Sequence, residues 1–173
     1  AENSINHEVY TLYGLSDQEI VLVEDAVKYT ILPLLQRKTT KSLQAITEPA
    51  LEQLATYAKR VCLQLNGILY HGDFELMATI FTVQGVPLRA CRFTLRKRSD
   101  DPPVIESEIT GIQDILGQIS EHLRAKVADH LYIHRDLRVY DSNTFWIIKP
   151  NESRLWSEAA ALNDADAVVR EHM

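Results

Sequence analysis

Few residues of the chain have the types and spacing that a catalytic or metal-binding site requires. Metal-dependent nucleases use two acids and a lysine in a D-x(n)-[DE]-x-K array, and Asp141 with Lys149 could supply the first acid and the lysine. Ile147 occupies the position of the second acid. His130 and His134 are four residues apart, which on a strand separates them by roughly 13 Å, too far to share a metal ion. The spacing therefore predicts no metal site and leaves a nuclease as a minor alternative.

Two short motifs typical of enzymes are incomplete. Residues 134–137 spell the HRDL of the protein-kinase catalytic loop, but Asp141 replaces the expected metal-binding asparagine, and no glycine-rich phosphate loop or DFG is present. Residues 101–104, DPPV, depart from the [ND]-P-P-[YF] signature of amino-methyltransferases because Val104 cannot stack on a flipped base as an aromatic ring does. The six glycines form no cofactor loop. We therefore predict no catalytic residue, metal or cofactor in this chain.

A basic surface is the remaining candidate site. If the two predicted hairpins turn the same side of their strands to solvent, several arginine and aromatic side chains would lie together and could contact phosphates and stack on bases. This predicted nucleic-acid-binding patch comprises Arg92, Arg96, Arg98, Tyr132, His134, Arg138 and Tyr140. The alternative is that these are ordinary solvated strand positions, with Asp136 pairing to a neighbouring arginine. The alternation of side chains between the two faces of a strand leaves both interpretations open.

Composition limits the classes to which the chain can belong. Its 173 residues, 46% of them hydrophobic, suffice for one domain with a substantial core. A net charge of −6 argues against a surface specialised for binding nucleic acid, although a local basic patch is compatible with this charge. Cys62 and Cys91 fall on apolar faces and are expected to be reduced core residues. No signal peptide and no run of 18 apolar residues is present, so the sequence predicts a cytoplasmic protein without a membrane partner.

The elements that must position these residues follow from periodicity and turn signals. A loose lead-in over 1–15 precedes a helical part over 16–66, whose first helix begins at the capping box of Ser16 and Glu19 and is stopped or kinked at Pro33. Its single apolar face contains Ile20, Val23, Val27, Ile31, Leu34 and Leu35. A sheet-containing part over 67–173 has two hairpins with a helix between them and a short helix near its end. The sequence predicts a single α+β domain, in the order ααββαββα, with a small antiparallel sheet of two hairpins packed with helices.

One run of residues carries a family resemblance. Tyr10–Ile20, YTLYGLSDQEI, resembles the x-V-Y-x-L-Y-G-L-[ST]-x-E-E-[IV] run that closes the target-recognition region of large DNA adenine methyltransferases in type IIG-like restriction–modification and phage-defence systems. The segment 132–173, with RVYDSNTFWIIKP and RLWSEAAALNDADAVVREHM, is similar to a carboxy-terminal extension of some of those proteins. The chain departs from the family because the methyltransferase core is missing. Its start at Ala1 without a methionine is what a fragment of a longer protein would show.

The resemblance implies a function that the residues alone do not. It implies a non-catalytic carboxy-terminal accessory domain, without a cofactor, of a restriction–modification DNA adenine methyltransferase. Such a domain would support DNA target recognition or contact the methyltransferase core or a partner subunit, and it would reach DNA through the parent protein. The alternative is a protein–protein interaction domain unrelated to DNA, which the acidic net charge suits somewhat better.

Overall fold

A five-stranded sheet lies at the centre of the protein in the computed structural model, which describes residues 2–35, 47–82, 87–100, 102–109, 117 and 136–172. The strands are β1 (Phe74–Thr82), β2 (Leu88–Lys97), β3 (Val104–Ile109), β4 (Leu137–Tyr140) and β5 (Thr144–Pro150). Their order across the sheet is β3-β1-β2-β5-β4. The pairs β1–β2, β2–β5 and β4–β5 are antiparallel, whereas β3 runs parallel to β1.

The helices stand before and after the strands in the chain. They are α1 (Glu2–Tyr13), α2 (Asp17–Ala26), a π-helical turn (Val27–Ile31), α3 (Leu32–Leu35), α4 (Leu51–Ile68), a 3-10 turn (Ser153–Trp156) and α5 (Glu158–His172). Helix α4 packs against both α5 and β1. The predicted α+β class and the antiparallel arrangement of two hairpins are confirmed.

The core lies between one face of the sheet and helices α4 and α5. Cys91 and Phe93 of β2 are fully buried there, as the alternation of that strand predicts, and the ring of Phe93 stacks on Phe145 with centroids 4.7 Å apart. Both cysteines are free and buried, as predicted. Apolar side chains of α4 supply the opposite wall: Leu54, Tyr57, Ala58, Val61, Cys62 and Leu65. This burial holds α4 and α5 on the sheet.

The sheet has one strand more than the two predicted hairpins. β3 follows two prolines, and the Ala78 amide donates to the Pro103 carbonyl over 2.8 Å where β3 joins β1. Parallel partners cannot be joined by a tight turn, and here β2 lies between them in the chain. No local turn signal therefore marks β3 in the sequence. The helix predicted to begin at Thr110 lies outside the described residues apart from position 117, as do the predicted strand residues 131–135.

The amino-terminal lead-in is helical rather than loose. Helix α1 ends at Tyr13 and is followed by Gly14, whose φ of +64° is the left-handed conformation that glycine adopts without strain. The Leu15 amide donates to the Tyr10 carbonyl over 3.0 Å, and the Gly14 amide donates to the Thr11 carbonyl over 3.1 Å, which together form a Schellman stop. The prediction of a loose segment was wrong because it followed the polar composition of residues 1–15 and missed their helical repeat.

Helix α2 begins with the predicted capping box. The Ser16 amide donates to the Glu19 carboxylate over 2.8 Å, and the Ser16 hydroxyl accepts from the Glu19 amide over 3.4 Å. The backbone hydrogen bond from Ser16 lowers the pKa of the Glu19 carboxyl. The run that carries the family resemblance is therefore the junction at which one helix ends and the next begins.

Pro33 does not end this helical segment. Proline has no N–H to donate to the carbonyl four residues earlier, and its ring collides with that carbonyl. The backbone opens into the single π-helical turn before Pro33, in which the Leu32 amide donates to the Val27 carbonyl. Helix α3 then continues the segment to Leu35.

Candidate functional site

The sheet separates the residues predicted to form a nucleic-acid-binding patch. Paired residues of adjacent strands share a face, and the register pairs Arg92 with Trp146 and Arg138 with Ile147. Since Trp146 and Ile147 are consecutive, Arg92 and Arg138 lie on opposite faces of the sheet. The condition for the patch, that both hairpins turn these side chains to the same side, is therefore not met by Arg92 and Arg138.

On the Arg92 face, the arginines make contacts within the protein. The Arg96 guanidinium pairs with the Glu75 carboxylate over 3.0 Å. The Arg92 guanidinium lies 5.5 Å from the centre of the Trp146 ring, within the range of a cation–π interaction. Arg98 is exposed. Among the described members of the predicted patch, this is the arginine most open to an external phosphate.

On the opposite face, Arg138 is held by three carboxylates. Its guanidinium contacts Asp136 over 2.5 Å, Asp164 over 3.1 Å and Glu171 over 3.0 Å. The Tyr140 hydroxyl donates to Glu171 over 2.6 Å. The ion pair of Asp136 with a neighbouring arginine, which belonged to the alternative interpretation, is present, but the Arg138 side chain is 19% exposed and is not an ordinary solvated strand position. Outside the described residues lie Tyr132 and His134.

The carboxylate of Asp164 is the centre of a buried charged cluster beneath α5. One of its oxygens accepts from the Lys149 ammonium and, over 2.6 Å, from the Tyr57 hydroxyl. Its other oxygen accepts from Arg138 over 3.1 Å. The Lys149 ammonium also donates to the Leu155 carbonyl over 2.9 Å. We call Tyr57, Arg138, Lys149 and Asp164 the Asp164 cluster, which joins α4, β4, β5 and α5.

Burial governs ionisation in the Asp164 cluster. Burial and the charge of Asp164 raise the pKa of the Tyr57 phenol well above its ordinary value of 10.0. Burial lowers the pKa of Lys149, and the adjacent Asp164 opposes that change. The Lys149 ammonium also lies 4.8 Å from the centre of the Tyr57 ring. Because its hydrogen bonds end on protein groups and its side chain is 4% exposed, Lys149 is placed to hold α5 on the sheet.

The nuclease array considered from the sequence is not the arrangement found around Lys149. Asp164 is the acid that meets this lysine, whereas Asp141 lies in the exposed turn between β4 and β5. Thr144, which accepts from the Asp141 amide, is five strand residues from Lys149, or roughly 17 Å along β5. Among the residues that the structure describes, no group of three or more His, Cys, Asp and Glu side chains could hold a metal ion.

A cavity of about 550 Å³ lies between α2, α5 and the end of β5. Lys149 and Asp164 form part of its wall. Asp25, Glu152 and Arg154 lie in the remainder of the lining, so acids and bases are mixed around the cavity. The mixture favours neither an anionic nor a cationic ligand. It therefore assigns no substrate class to this cavity.

The second candidate site is the amino-terminal helical segment over residues 2–35. Polar side chains attach this segment to the body of the protein. The Asp25 carboxylate accepts from the Ala159 amide in the first turn of α5 over 2.7 Å, and the Tyr29 hydroxyl accepts from the Gln53 side chain over 3.1 Å. Asp25 therefore supplies a negative group at the amino-terminal end of α5, where the helix dipole favours it.

Many large apolar side chains of the same segment are exposed. Leu12 of α1 is 82% exposed, and Leu35 at the end of α3 is 77% exposed. We call the exposed members of this set the amino-terminal apolar surface: Ile5, Val9, Leu12, Tyr13, Leu22, Val23, Val27, Ile31, Leu32, Leu34 and Leu35. Scattered exposed hydrophobic residues need no explanation, but this set is concentrated in one helical segment, which makes the segment a candidate interaction surface.

Sequence reasoning recognised only part of each candidate site. The apolar face on both sides of Pro33 was predicted from the sequence. The apolar side chains of α1 were missed, although Ile5, Val9 and Leu12 stand at helical spacing. Lys149 at the end of an apolar strand was a signal of a buried charge. Its partner Asp164 gives no comparable signal, since it stands in a helix among other acids.

Comparison with known proteins gave no relative: no family model, no curated protein and no solved structure matches the chain. In the described parts of the chain, no helix combines the length and the apolar character needed to cross a membrane. The features of the chain that indicate a function are therefore the two sites above and the resemblance of residues 10–20.

Proposed function

We propose that this chain is a non-catalytic accessory domain of a restriction–modification DNA adenine methyltransferase, and that it docks its amino-terminal apolar surface on the methyltransferase core. The observation that carries the proposal is the orientation of the segment after Gly14. Asp25 and Tyr29 bond to the body, while Val23, Val27 and Ile31 are exposed. A helix that only covers its own core has the reverse orientation, with its apolar stripe inward.

The resemblance supports the choice of partner. Tyr10–Ile20 contains the Schellman stop of α1 and the capping box of α2, so the resembling residues lie within the segment that bears the apolar surface. In the methyltransferases that this run resembles, it closes the target-recognition region. Docking through residues 2–35 would accordingly place the α+β body beside that region of the parent protein.

Contact with DNA is indirect in this proposal. The arginines of the predicted patch are divided between two faces of the sheet, and the net charge of the chain is −6. Strong binding to phosphates needs clustered cations. The domain therefore contributes to target recognition by holding the core in position, while the core supplies the contacts to DNA.

The test measures binding of this chain to a separately expressed adenine methyltransferase core of the resembled class from the same host. The variant Val23→Glu/Val27→Glu/Ile31→Glu removes the exposed stripe, and Leu63→Glu alters an exposed leucine of α4 as the matched control. We expect the wild-type chain and the control to form a complex with the core, and the triple variant to bind at least about 10-fold more weakly. Absence of a wild-type complex, or equal binding by the triple variant, would contradict the proposal. Circular dichroism of each variant checks that the helices are retained.

A further inference from the structure

We propose that the element received by the amino-terminal apolar surface is an amphipathic helix whose apolar stripe is bordered by lysine and arginine. This inference rests on the proposed docking function and adds the chemistry of the partner. It is drawn from the spacing of the exposed apolar residues, from the helical turn before Pro33 and from the charges beside them.

The spacing of the surface is that of a helix–helix seam. In α1, Ile5, Val9 and Leu12 follow one another at steps of four and three residues, and Val23 of α2 is four residues from Val27 at the start of the π-helical turn. Alternating steps of three and four place side chains in a stripe that receives the side chains of a second helix. The surface is therefore suited to a helix rather than to an extended strand.

The π-helical turn extends the surface. It adds one residue to the helical repeat before Pro33, and the side chains on either side of the proline, Ile31 and Leu35, are 46% and 77% exposed. Single π turns inside helices frequently occur at functional sites. Exposed apolar side chains thus continue past the proline to the end of the described segment.

The exposed charged side chains of the segment are mostly acidic. Among the exposed charged side chains described over residues 5–35, four are acidic and one is basic. They are Glu8, Asp17, Glu19, Glu24 and Lys28. A second copy of this chain, or any helix with an acidic border, would bring like charges together, whereas lysine and arginine on the partner helix would complement these carboxylates. Charge therefore favours a basic helix over self-association.

Three synthetic peptides of roughly three heptads test this inference. They share one leucine and isoleucine stripe and differ only in the border residues, which are lysine and arginine, glutamate, or glutamine. Binding of each labelled peptide to the chain is measured by fluorescence anisotropy at low and high salt. We expect the basic peptide to bind at least about 10-fold more tightly than the glutamate peptide at low salt, with the difference reduced at high salt.

Charge reversal of the border provides the matched comparison. Glu8→Lys/Glu24→Lys should reverse the order of the basic and glutamate peptides, whereas Asp166→Lys on the exposed side of α5 should leave it unchanged. The inference is overturned if no peptide binds, if the glutamate peptide binds as well as the basic one, or if sedimentation shows a dimer that Val23→Glu/Val27→Glu/Ile31→Glu abolishes. The last result would identify a second copy as the occupant.

The same variants separate this inference from the proposed function. If the basic peptide binds more tightly than the glutamate peptide but the methyltransferase core does not bind, the proposed function is contradicted and the inference of a basic partner helix is supported. If the core binds wild type and Glu8→Lys/Glu24→Lys equally well, the docking function stands and the basic helix fails.

Discussion

The Lys149 ammonium donates to the Asp164 carboxylate beneath α5, where the two side chains are 4% and 7% exposed. Removing two charges from water is costly, and their attraction offsets this cost only when further hydrogen bonds satisfy the remaining polar atoms. Tyr57 and Arg138 donate those further bonds to the same carboxylate. The position of α5 on the sheet therefore depends on a complete Asp164 cluster.

The substitution Asp164→Asn should lower the free energy of unfolding by about 3–5 kcal/mol, because it leaves the Lys149 ammonium buried without its charge partner. Lys149→Met/Asp164→Asn should lose less than Asp164→Asn alone, since the uncompensated charge is then absent. Urea denaturation of the whole chain near neutral pH measures both, with Asp166→Asn on the exposed side of α5 as the control. A single variant as stable as the control would show that the ion pair contributes nothing.

Tyr57→Phe removes a hydroxyl that donates to the Asp164 carboxylate over 2.6 Å in the interior. Hydrogen bonds to charged groups are worth about 1.5–3 kcal/mol, and we expect a loss of stability of that size. Tyr70→Phe, at a tyrosine that is 69% exposed, should leave the free energy of unfolding unchanged. Equal effects of the two substitutions in the same urea titration would exclude a special contribution from the buried hydroxyl.

Stability should fall as the pH rises above about 9. Burial raises the pKa of the Cys62 thiol from 9.0 to about 12, and burial raises the pKa of Cys91 as well. Below the unfolded pKa both states are protonated, so the full stability is present. Above it, the unfolded chain loses protons that the folded protein keeps, which favours unfolding by about 1.4 kcal/mol per thiol at about pH 10.

The comparison with Cys62→Ala isolates this thiol from the other titrating groups. Lys149, whose pKa burial lowers, acts in the opposite direction, but it is present in both proteins. Unfolding under reducing conditions should therefore show a shallower decline of stability with alkaline pH for Cys62→Ala than for wild type. Parallel curves for the two proteins would contradict the assignment of the decline to this buried thiol.

Asp25→Ala should reduce stability by about 1 kcal/mol, because the Ala159 amide in the first turn of α5 loses its acceptor. Hydrogen exchange at Ala159 should become faster in the variant. Glu24→Ala changes the exposed neighbouring acid and should affect neither measurement. If both alanine variants exchange at the wild-type rate, the Asp25 contact does not hold α5.

The parts of the fold that could be predicted are those governed by local pattern. Helix α4 shows an apolar stripe of helical period, and β2 alternates so that Cys91 and Phe93 face the core. Strand β3 could not be predicted in this way, because it is stabilised by parallel pairing to β1, with β2 between them in the chain. The helical state of α1 was obscured by the polar composition of residues 1–15.

The candidate sites depend on pairing that no single strand reveals. Strand β5 lies between β2 and β4, and its Trp146 pairs with both Arg92 and Val139. Val139, rather than Arg138, therefore shares the Arg92 face, and a shift of one residue would reverse this result. The ion pair of Lys149 and Asp164 likewise forms only when α5 packs on the sheet. The local periodicity of the sequence does not specify that packing.

The bond from the Ala159 amide to Asp25 makes the amino-terminal helices and α5 thermodynamically dependent on each other. A protein that binds α2 and holds it in place also holds the Asp25 carboxylate at the start of α5. By reciprocity, an ordered α5 strengthens the binding of that protein by the same free energy. Binding of a partner protein to the amino-terminal helices could thus be followed by deuterium uptake in α5, without a probe placed in the contact itself.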